Sequence, residues 1–392
     1  MRIAYCTNVR LPSERAHGHQ VAQVCDALQK LGHKVTIFAP FRRNTLHEDF
    51  WTYYGLAKDI VVRHLGHMDP IASPLFPSVL GLFVMNWMLR RNLARVIDRS
   101  SFDVLYTRTP ALLVPMLRSG IPTILELHQL PRRSRRSFIH HASACALVVA
   151  LTSPMRNVLI AWGIPAERVV VEGDGVDISR FREKLSKEAA WQSLRKVFPS
   201  LEPVYPGTTI IVGYVGRLKT LGMEKGVDLM LQTLRRLHSK GAYFGFIVGG
   251  PKEDTQVYRA RAAALSLTEA DVCFTGEVPA SMVPVTLAAC DVLAMPFPDF
   301  PHYRLHMSPL KMFEYMAAER PILTSDLPTI RDVLSEETAV FCKPGDVESF
   351  VEALEWIRRH RDAAETRAKK ARILVERYDW QQRMQRILAA LE

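Results

Sequence analysis

The 392-residue chain is 48% hydrophobic and 23% charged, which is typical of globular proteins, and its length predicts two domains. Its six cysteines are scattered without CxxC spacing, which argues against a disulfide framework and against a zinc site. The whole net charge of +11 lies in residues 1–170, which hold 21 Lys and Arg against 10 Asp and Glu. This basic half favours an anionic partner: nucleic acid, an anionic membrane surface or an acidic acceptor.

The chain begins with a strand–helix–strand pattern. Arg2–Cys6 is apolar, residues 19–31 show helical spacing up to Gly32, and Lys34–Phe38 is a second apolar run. This order predicts a βαβ unit of a parallel sheet, and the apolar start is a strand rather than a signal peptide, so we expect a cytoplasmic protein. Gly18 stands at the start of the helix without GxGxxG or a Walker lysine, so both a phosphate loop and a plain βα turn at the edge of a cleft stay open.

Residues 71–89 carry no charge, although two prolines and an asparagine interrupt them. A membrane-spanning helix needs about 20 apolar residues in a row, so we do not predict a span. A buried helix is the default interpretation. The alternative is an amphipathic helix with aromatic residues against lipid and arginines against headgroups. The residues concerned are Phe83, Trp87, Arg90, Arg91 and Arg95.

Further strands are predicted at 102–107, 121–127, 146–151 and 169–171. His128 directly follows the strand at 121–127, and α/β proteins place their chemistry at the carboxyl ends of parallel strands. It is thus a better catalytic candidate than the other histidines, although a structural histidine remains the alternative. A basic loop follows and is either a solvated surface or an acceptor and membrane contact. It holds Arg132, Arg133, Arg135 and Arg136.

A polar stretch at 184–207 indicates a domain boundary, after which strand character returns at 209–215. Arg217 follows that strand, and Lys225 precedes the predicted helix Val227–Leu237. Two cations near a helix N-terminus suit a diphosphate, whereas two unrelated surface cations are the alternative. Strands and helices then alternate to the C-terminus. We therefore predict two doubly wound α/β domains, 1–180 and 205–375, with a cleft between them.

The segment Met307–Pro328 (MSPLKMFEYMAAERPILTSDLP) combines a Ser-Pro turn, a helix and a strand. Backbone N–H groups and the helix dipole favour phosphate at such a helix mouth, and a carboxylate one turn inside accepts hydrogen bonds from sugar hydroxyls.

Several motifs in this order resemble those of the family-4 retaining glycosyltransferases of the GT-B fold. They are the SERAHGHQVAQVCDALQKLGHKVTIFAP opening, strand-end His128, GDGVDISRF, GRLKTLGMEKG, VGGP, FTGEV, DVLAMP, the Met307–Pro328 segment and the terminal YDW helix. The resemblance implies two Rossmann-like domains facing a cleft. The first would bind the acceptor and the second the nucleotide-sugar donor, and a C-terminal helix, 379–392, would return to the first domain.

The resemblance also implies residue roles. Arg217 and Lys225 would hold the donor diphosphate, Glu314 would bind the ribose, and His128 would lie over the donor sugar. The backbone of Gly276 and Val278 would receive the base, and Gly18 would border donor and acceptor. The N–H groups of a four-residue stretch would face the diphosphate and sugar: Ser308, Pro309, Leu310 and Lys311.

The chain departs from the family pattern at three positions. His306 stands where the first of two paired glutamates is usual, so contacts to the donor sugar differ there. Asp174 replaces the usual asparagine before glycine, and Glu319 replaces a glycine. A non-glycine residue in the left-handed region at position 319 would cost about 1 kcal/mol.

The predicted activity is hexosyl-type transfer from a UDP- or GDP-linked sugar with retention, in surface-glycan, lipid-linked-glycan or glycoconjugate biosynthesis. No cofactor and no metal are expected. Predicted partners are the donor, an anionic or lipid-linked acceptor, and the inner face of a membrane through peripheral contact. The alternatives are a catalytically silent sugar-nucleotide-binding protein and a basic nucleic-acid-binding protein, the latter not favoured. A nicotinamide dehydrogenase is excluded because no glycine fingerprint is present.

Overall fold

The computed structural model describes residues 1–14, 16–56, 59–73, 78–131, 133–201, 208–240 and 243–391. The chain forms two compact units. The first comprises Met1–Gly173 together with Trp380–Glu392, and the second comprises Asp174–Asp379.

The first unit is built on a parallel sheet, seven-stranded among the described residues, in the order β3-β2-β1-β4-β5-β6-β7. In chain order the strands are β1 (Arg2–Cys6), β2 (Lys34–Pro40), β3 (Val61–Leu65), β4 (Val104–Thr107), β5 (Thr123–Leu127), β6 (Leu147–Ala150) and β7 (Val169–Val171). The strand order reverses between β1 and β4, which is where open α/β sheets place a ligand crevice.

The helices of this unit connect the parallel strands. They are α1 (Ala16–Lys30), α2 (Phe50–Tyr54), α3 (Ser78–Val96), α4 (Leu113–Arg118), α5 (Arg135–Ala142) and α6 (Ser153–Ala161). The default prediction of a buried helix at 71–89 is wrong, because α3 buries Met85 and Leu89 but exposes Phe83 and Trp87. No helix in the described parts of the chain is long and apolar enough to cross a membrane.

The second unit repeats the architecture with a parallel sheet in the order β12-β11-β8-β13-β14-β15. Its strands are β8 (Ile210–Val215), β9 (Lys219–Thr220), β10 (Met223–Glu224), β11 (Tyr243–Val248), β12 (Val272–Gly276), β13 (Val292–Met295), β14 (Ile322–Ser325) and β15 (Val340–Cys342). The short strands β9 and β10 form a separate antiparallel hairpin. The order reverses between β8 and β13, so Arg217, two residues after the end of β8, stands at the switch point.

Helices pack on both faces of the second sheet. They are α7 (Lys187–Val197), α8 (Val227–Leu237), α9 (Lys252–Ala264), α10 (Val283–Ala288), α11 (Pro301–Leu305), α12 (Leu310–Ala317), α13 (Pro328–Arg331), α14 (Val347–Arg359) and α15 (Arg361–Leu374). The polar stretch at 184–207 contains α7, whose Trp191 is fully buried and donates from Nε1 to the Ala289 carbonyl at 2.9 Å. Its polar composition therefore reflects the exposed face of an amphipathic helix.

The C-terminal helix α16 (Trp380–Ala389) belongs to the first unit, where it packs on α1. It buries Met384 and Ile387 together with a charged side chain, Arg383. The two doubly wound parallel sheets confirm the predicted α/β class with two Rossmann-like units.

Candidate functional site

In the first unit, His128 follows β5 and is held by a carboxylate two residues before it. Nε2 of His128 lies 2.6 Å from Oε1 of Glu126, and the Gln20 amide donates to the same oxygen at 2.7 Å. Although burial alone would raise the pKa of Glu126, the Arg383 guanidinium and the hydrogen bond from His128 hold that pKa well below its usual range. Because a carboxylate only accepts hydrogen bonds, Nε2 of His128 carries the proton and donates.

Arg383 reaches this carboxylate from the C-terminal helix. Its Nη2 donates to Oε2 of Glu126 at 3.0 Å and to the Glu172 carbonyl at 3.2 Å, and both charged side chains are fully buried. The hydroxyl of Tyr106 donates to the same Oε2. The imidazole at the strand end is thus oriented by a buried ion pair that joins β5 to α16.

Sequence reasoning missed both members of this pair. Glu126 had a signal, because it is a charge inside the otherwise apolar strand Thr123–Leu127, all of which is buried. Arg383 had none, since it stands 257 residues from its partner in the chain.

Gly18 lies inside α1 rather than in a loop before it. A Cβ at this position would lie 2.4 Å from the Tyr54 hydroxyl and 2.9 Å from Cβ of Ser13. Close packing within the first unit therefore explains its lack of a side chain, and the choice between a phosphate loop and a plain βα turn stays open. The predicted role beside donor and acceptor stays a prediction.

In the predicted basic loop after β5, Arg135 and Arg136 instead begin helix α5, and the arginines are solvent-exposed where the structure describes them. Arg133, Arg135 and Arg136 are exposed, and the Arg135 guanidinium stacks 4.3 Å from the centre of the Trp162 ring. Arg132 lies outside the described residues. Their predicted acceptor or membrane role stays a prediction.

In the second unit, a hairpin brings Arg217 and Lys225 together. Strands β9 and β10 pair directly, and Leu221 and Gly222 between them have φ of 52° and 78°, as a two-residue turn with two left-handed positions requires. Burial, and then the positive charge of Arg217, lower the pKa of Lys225 to about 8. The eight-residue spacing therefore reflects a tight reversal that places two like charges near one another.

Lys311 adds a third cation, from the first turn of α12. Its side chain is 7% exposed, and its Nζ lies 3.4 Å from the centre of the Tyr214 ring. Within the described residues this Nζ has no hydrogen-bond acceptor. Burial, followed by the charge of Lys225, lowers the pKa of Lys311 well below its usual value. A buried ammonium group without a hydrogen-bond acceptor is unusual in a protein interior and marks a binding-site candidate.

The N-terminus of α12 is uncapped by side chains. Pro309 is the N-cap residue and, as a proline, has no N–H, so the predicted set of four N–H donors is wrong at this position. The Ser308 hydroxyl accepts from the Asp174 N–H at 2.8 Å instead of capping the helix. The amides of Leu310 and Lys311 open the helix and lack intrahelical acceptors.

Glu314 lies one turn further along α12 and faces a cation that sequence reasoning missed. Nη1 of Arg180 is 4.0 Å from Oε1 of Glu314, and both side chains are about a quarter exposed. Burial raises the pKa of Glu314, while Arg180 and Lys311 act in the opposite direction. Arg180 also donates to the Ala280 carbonyl. It is thereby held beside the predicted ribose ligand.

The remaining predicted donor residues lie around the same sheet. The Gly276 carbonyl already accepts from the Gly249 N–H at 2.7 Å and from the Thr275 hydroxyl at 2.9 Å. The nucleotide base of a donor would therefore have to form its hydrogen bonds with other backbone groups nearby. Val278 is partly buried against the core. His306 ends α11, with its ring centre 5.4 Å from that of His302.

The sequence alone leaves open whether residue 319 adopts the left-handed conformation. Glu319 has a φ of 53°, so it does adopt that conformation, at the end of α12. Lys184 lies 2.7 Å from its carboxylate. The strain of a non-glycine residue here amounts to about 1 kcal/mol.

Comparison with known proteins identifies the family. Residues 209–360 match the model of the glycosyl transferases group 1, and residues 18–180 match that of glycosyltransferase family 4. The chain belongs to the family-4 glycosyltransferases. Among its relatives is the GDP-mannose-dependent alpha-mannosyltransferase of Mycobacterium tuberculosis (strain CDC 1551 / Oshkosh), 26% identical over 89% of this chain and 85% of that protein.

A second relative of this glycosyltransferase is the 2-deoxystreptamine glucosyltransferase of Streptomyces kanamyceticus, 30% identical over 51% of the chain. That match spans about half of the relative's own length, 48%. Among solved structures, Anabaena HepE in complex with UDP and glucose superposes with a TM-score of 0.71 at 18% identity, over 100% of this chain and 99% of that one. This likeness shows the fold and, with the two sheets, supports the GT-B type.

Proposed function

We propose that this glycosyltransferase moves a sugar, with retention of anomeric configuration, from a UDP- or GDP-linked donor to an acceptor hydroxyl. The observation that carries the proposal is the cluster of Arg217, Lys225 and Lys311 at the uncapped start of α12. Burial and a neighbouring cation lower the pKa of both Lys225 and Lys311, while Glu314 acts in the opposite direction on Lys311. A diphosphate would supply negative charge to this cluster.

In the proposed reaction the bond between the anomeric carbon and the diphosphate oxygen breaks. The acceptor oxygen attacks the same face, and its proton passes to an oxygen of the departing diphosphate, which gives retention without a protein nucleophile. Negative charge develops on the leaving group, and groups placed to receive such charge typically contribute 10²–10³ in rate each. His128 would contact the donor sugar, held in orientation by Glu126.

We further propose that the reaction needs neither a metal ion nor a cofactor, because three cationic side chains supply the charge that a divalent metal would otherwise provide. Turnover is accordingly expected to continue in excess EDTA. The base would be received beside Gly276 and Val278, the ribose by Glu314, and the domain carrying these groups would be the donor domain.

For the acceptor we propose an anionic or lipid-linked glycan precursor, with the first domain as its binding domain and the inner face of a membrane as the place of reaction. The supporting observation is the net charge of +11 within residues 1–170. The exposed Arg133, Arg135 and Arg136 belong to this basic half.

The donor is identified by thermal unfolding with UDP-, GDP-, ADP- and CMP-sugars. A ligand at 100 times its dissociation constant adds about 2.7 kcal/mol of stability, which separates the candidates. Arg217→Ala should lower turnover with the selected donor by about 10²–10³. The matched control is Arg236→Ala, an exposed arginine of the same unit that pairs with Glu348.

Unchanged turnover in Arg217→Ala would contradict the proposed donor site. Donor binding without any sugar transfer or donor hydrolysis would favour the silent binding protein instead, and His306 in place of a carboxylate is the sequence feature consistent with that alternative.

A further inference from the structure

Helix α3 presents two different faces. One is packed into the first unit: Met85, Leu89 and Leu93 are buried at four-residue spacing, and Gly81 precedes them in the same row. A Cβ on Gly81 would lie 2.6 Å from the Pro70 carbonyl oxygen, so the backbone is pressed against this segment. These contacts determine which side of the helix points outward.

The outward face is apolar in its first half. Phe83 is 69% exposed and Trp87 is 54% exposed, and three aliphatic side chains beside them are also exposed. They are Val79, Leu80 and Leu82. Single exposed apolar side chains are ordinary, but a continuous helical patch with two large aromatics is not.

The second half of the same face is basic. Arg90, Arg91 and Arg95 are exposed, and the Arg91 guanidinium lies 5.8 Å from the centre of the Trp87 ring. Arg118, from the end of α4, joins Arg90, Arg91 and Trp87 in lining a surface groove of about 390 Å³. This groove offers several guanidinium groups, which bind phosphate oxygens with two parallel hydrogen bonds.

We propose that this face of α3 binds an anionic phospholipid bilayer, with Phe83 and Trp87 entering the interface and the arginines of the groove contacting lipid phosphates. An amphipathic helix with aromatic residues and arginines on its exposed face lies in the plane of a membrane interface. The inference specifies a surface for the membrane location proposed above. It can fail while sugar transfer stands, because vesicle binding requires neither donor nor acceptor.

Charge favours a membrane over a protein partner of ordinary composition. The whole excess of positive charge lies in this half of the chain, and anionic lipids attract basic residues near the surface.

The test is co-sedimentation of the full chain with two kinds of vesicle. One is pure phosphatidylcholine, and the other is phosphatidylcholine in which about a third of the lipid is phosphatidylglycerol. Binding is expected to the anionic vesicles and to weaken as salt is raised. Phe83→Ser with Trp87→Ser should reduce the partition coefficient at least tenfold. Arg90→Gln with Arg91→Gln should reduce it about fivefold per residue at low salt.

Matched controls come from the second unit. Ile373→Ser removes an apolar side chain that is 74% exposed, and Arg235→Gln with Arg236→Gln removes two exposed arginines. Both should bind vesicles like the unchanged chain. Equal binding of the α3 variants and the controls, or no binding to either vesicle, overturns the proposal. A second outcome is that the chain binds no vesicles but self-associates as its concentration rises, and that Phe83→Ser with Trp87→Ser abolishes this self-association. That result would assign the face to a second copy of the chain and would also overturn the proposal.

Discussion

Glu126 in the first unit and Lys311 in the second are buried charges with opposite surroundings. In the first, Glu126 is neutralised by Arg383 and further bonded by His128, Tyr106 and Gln20. In the second, Lys311 is also buried, but its Nζ lies over aromatic rings and has no hydrogen-bond acceptor among the described residues. Its charged neighbours are Lys225, of like sign, and Glu314, of opposite sign. A buried charge that is paired within the protein fixes the orientation of the side chains bonded to it. A buried charge without such a pair lowers stability unless an anion binds to it. The contrast separates a positioning network from a binding site.

The strongest test of the paired side is Arg383→Met. Removing one partner of a buried ion pair leaves Glu126 as an uncompensated charge, which typically costs about 3–5 kcal/mol. We expect a loss of that size in the free energy of unfolding, measured by denaturant titration of the first unit's transition.

Two variants check the cause. Adding Glu126→Gln to Arg383→Met should restore more than half of the loss, because the unpaired charge is gone. Arg386→Met, which removes a partly exposed arginine bonded to Glu172 at 2.7 and 2.8 Å, should cost only about 1 kcal/mol. A loss below 1 kcal/mol in Arg383→Met would show that the pair does not hold α16.

For the buried charge without an ion-pair partner, Lys311→Met should lower turnover and at the same time raise stability. Turnover is expected to fall by about 10²–10³ because a cation facing the leaving group is removed. The free energy of unfolding is expected to rise by about 1 kcal/mol or more. Burying an ammonium group costs several kcal/mol, while its contact with the Tyr214 ring returns only about 2 kcal/mol.

Lys187→Met provides the matched control within the same unit. Nζ of Lys187 lies 2.6 and 2.7 Å from the two carboxylate oxygens of Asp291, so its removal should destabilise the protein. If Lys311→Met and Lys187→Met were both destabilising to the same extent, the contrast between paired and unpaired buried charges would be lost.

The smallest expected effect is a pH dependence governed by Lys225. Its pKa of about 8 lies below the usual lysine value, so the unfolded state holds more protons between about pH 8 and 10.4. The stability of the free protein should therefore rise with pH across this window. The affinity for the donor should instead fall as pH rises. A bound diphosphate raises the pKa of Lys225, so donor binding takes up a proton.

Calorimetry with the selected donor is expected to show affinity falling above pH 8 by up to about tenfold per pH unit. Lys225→Arg should remove the part of this fall that comes from Lys225, since arginine stays charged across the range. The part that remains is expected to come from Lys311, whose pKa is also lowered. An affinity that is independent of pH from 7.5 to 9.5 in the unchanged chain would exclude Lys225 from the donor site.

Local pattern determined much of this protein. Apolar runs predicted most strands of the first sheet, and helix Val227–Leu237 was predicted to the residue, because periodicity and burial act over short distances. The same reasoning located His128 and the pair Arg217 and Lys225, since polar residues at the ends of parallel strands converge on one edge. The ordered motifs identified the family.

Tertiary structure alone decided which charges are paired and which faces are exposed. Arg383 reaches Glu126 across 257 residues, and Arg180 reaches Glu314 across more than a hundred, so no local pattern connects them. An uncharged run at 71–89 favours burial by its composition, but packing sets the rotation of the helix and leaves Phe83 and Trp87 exposed. Sequence patterns record what each residue prefers, whereas the partner of a buried charge depends on which distant segment folds against it.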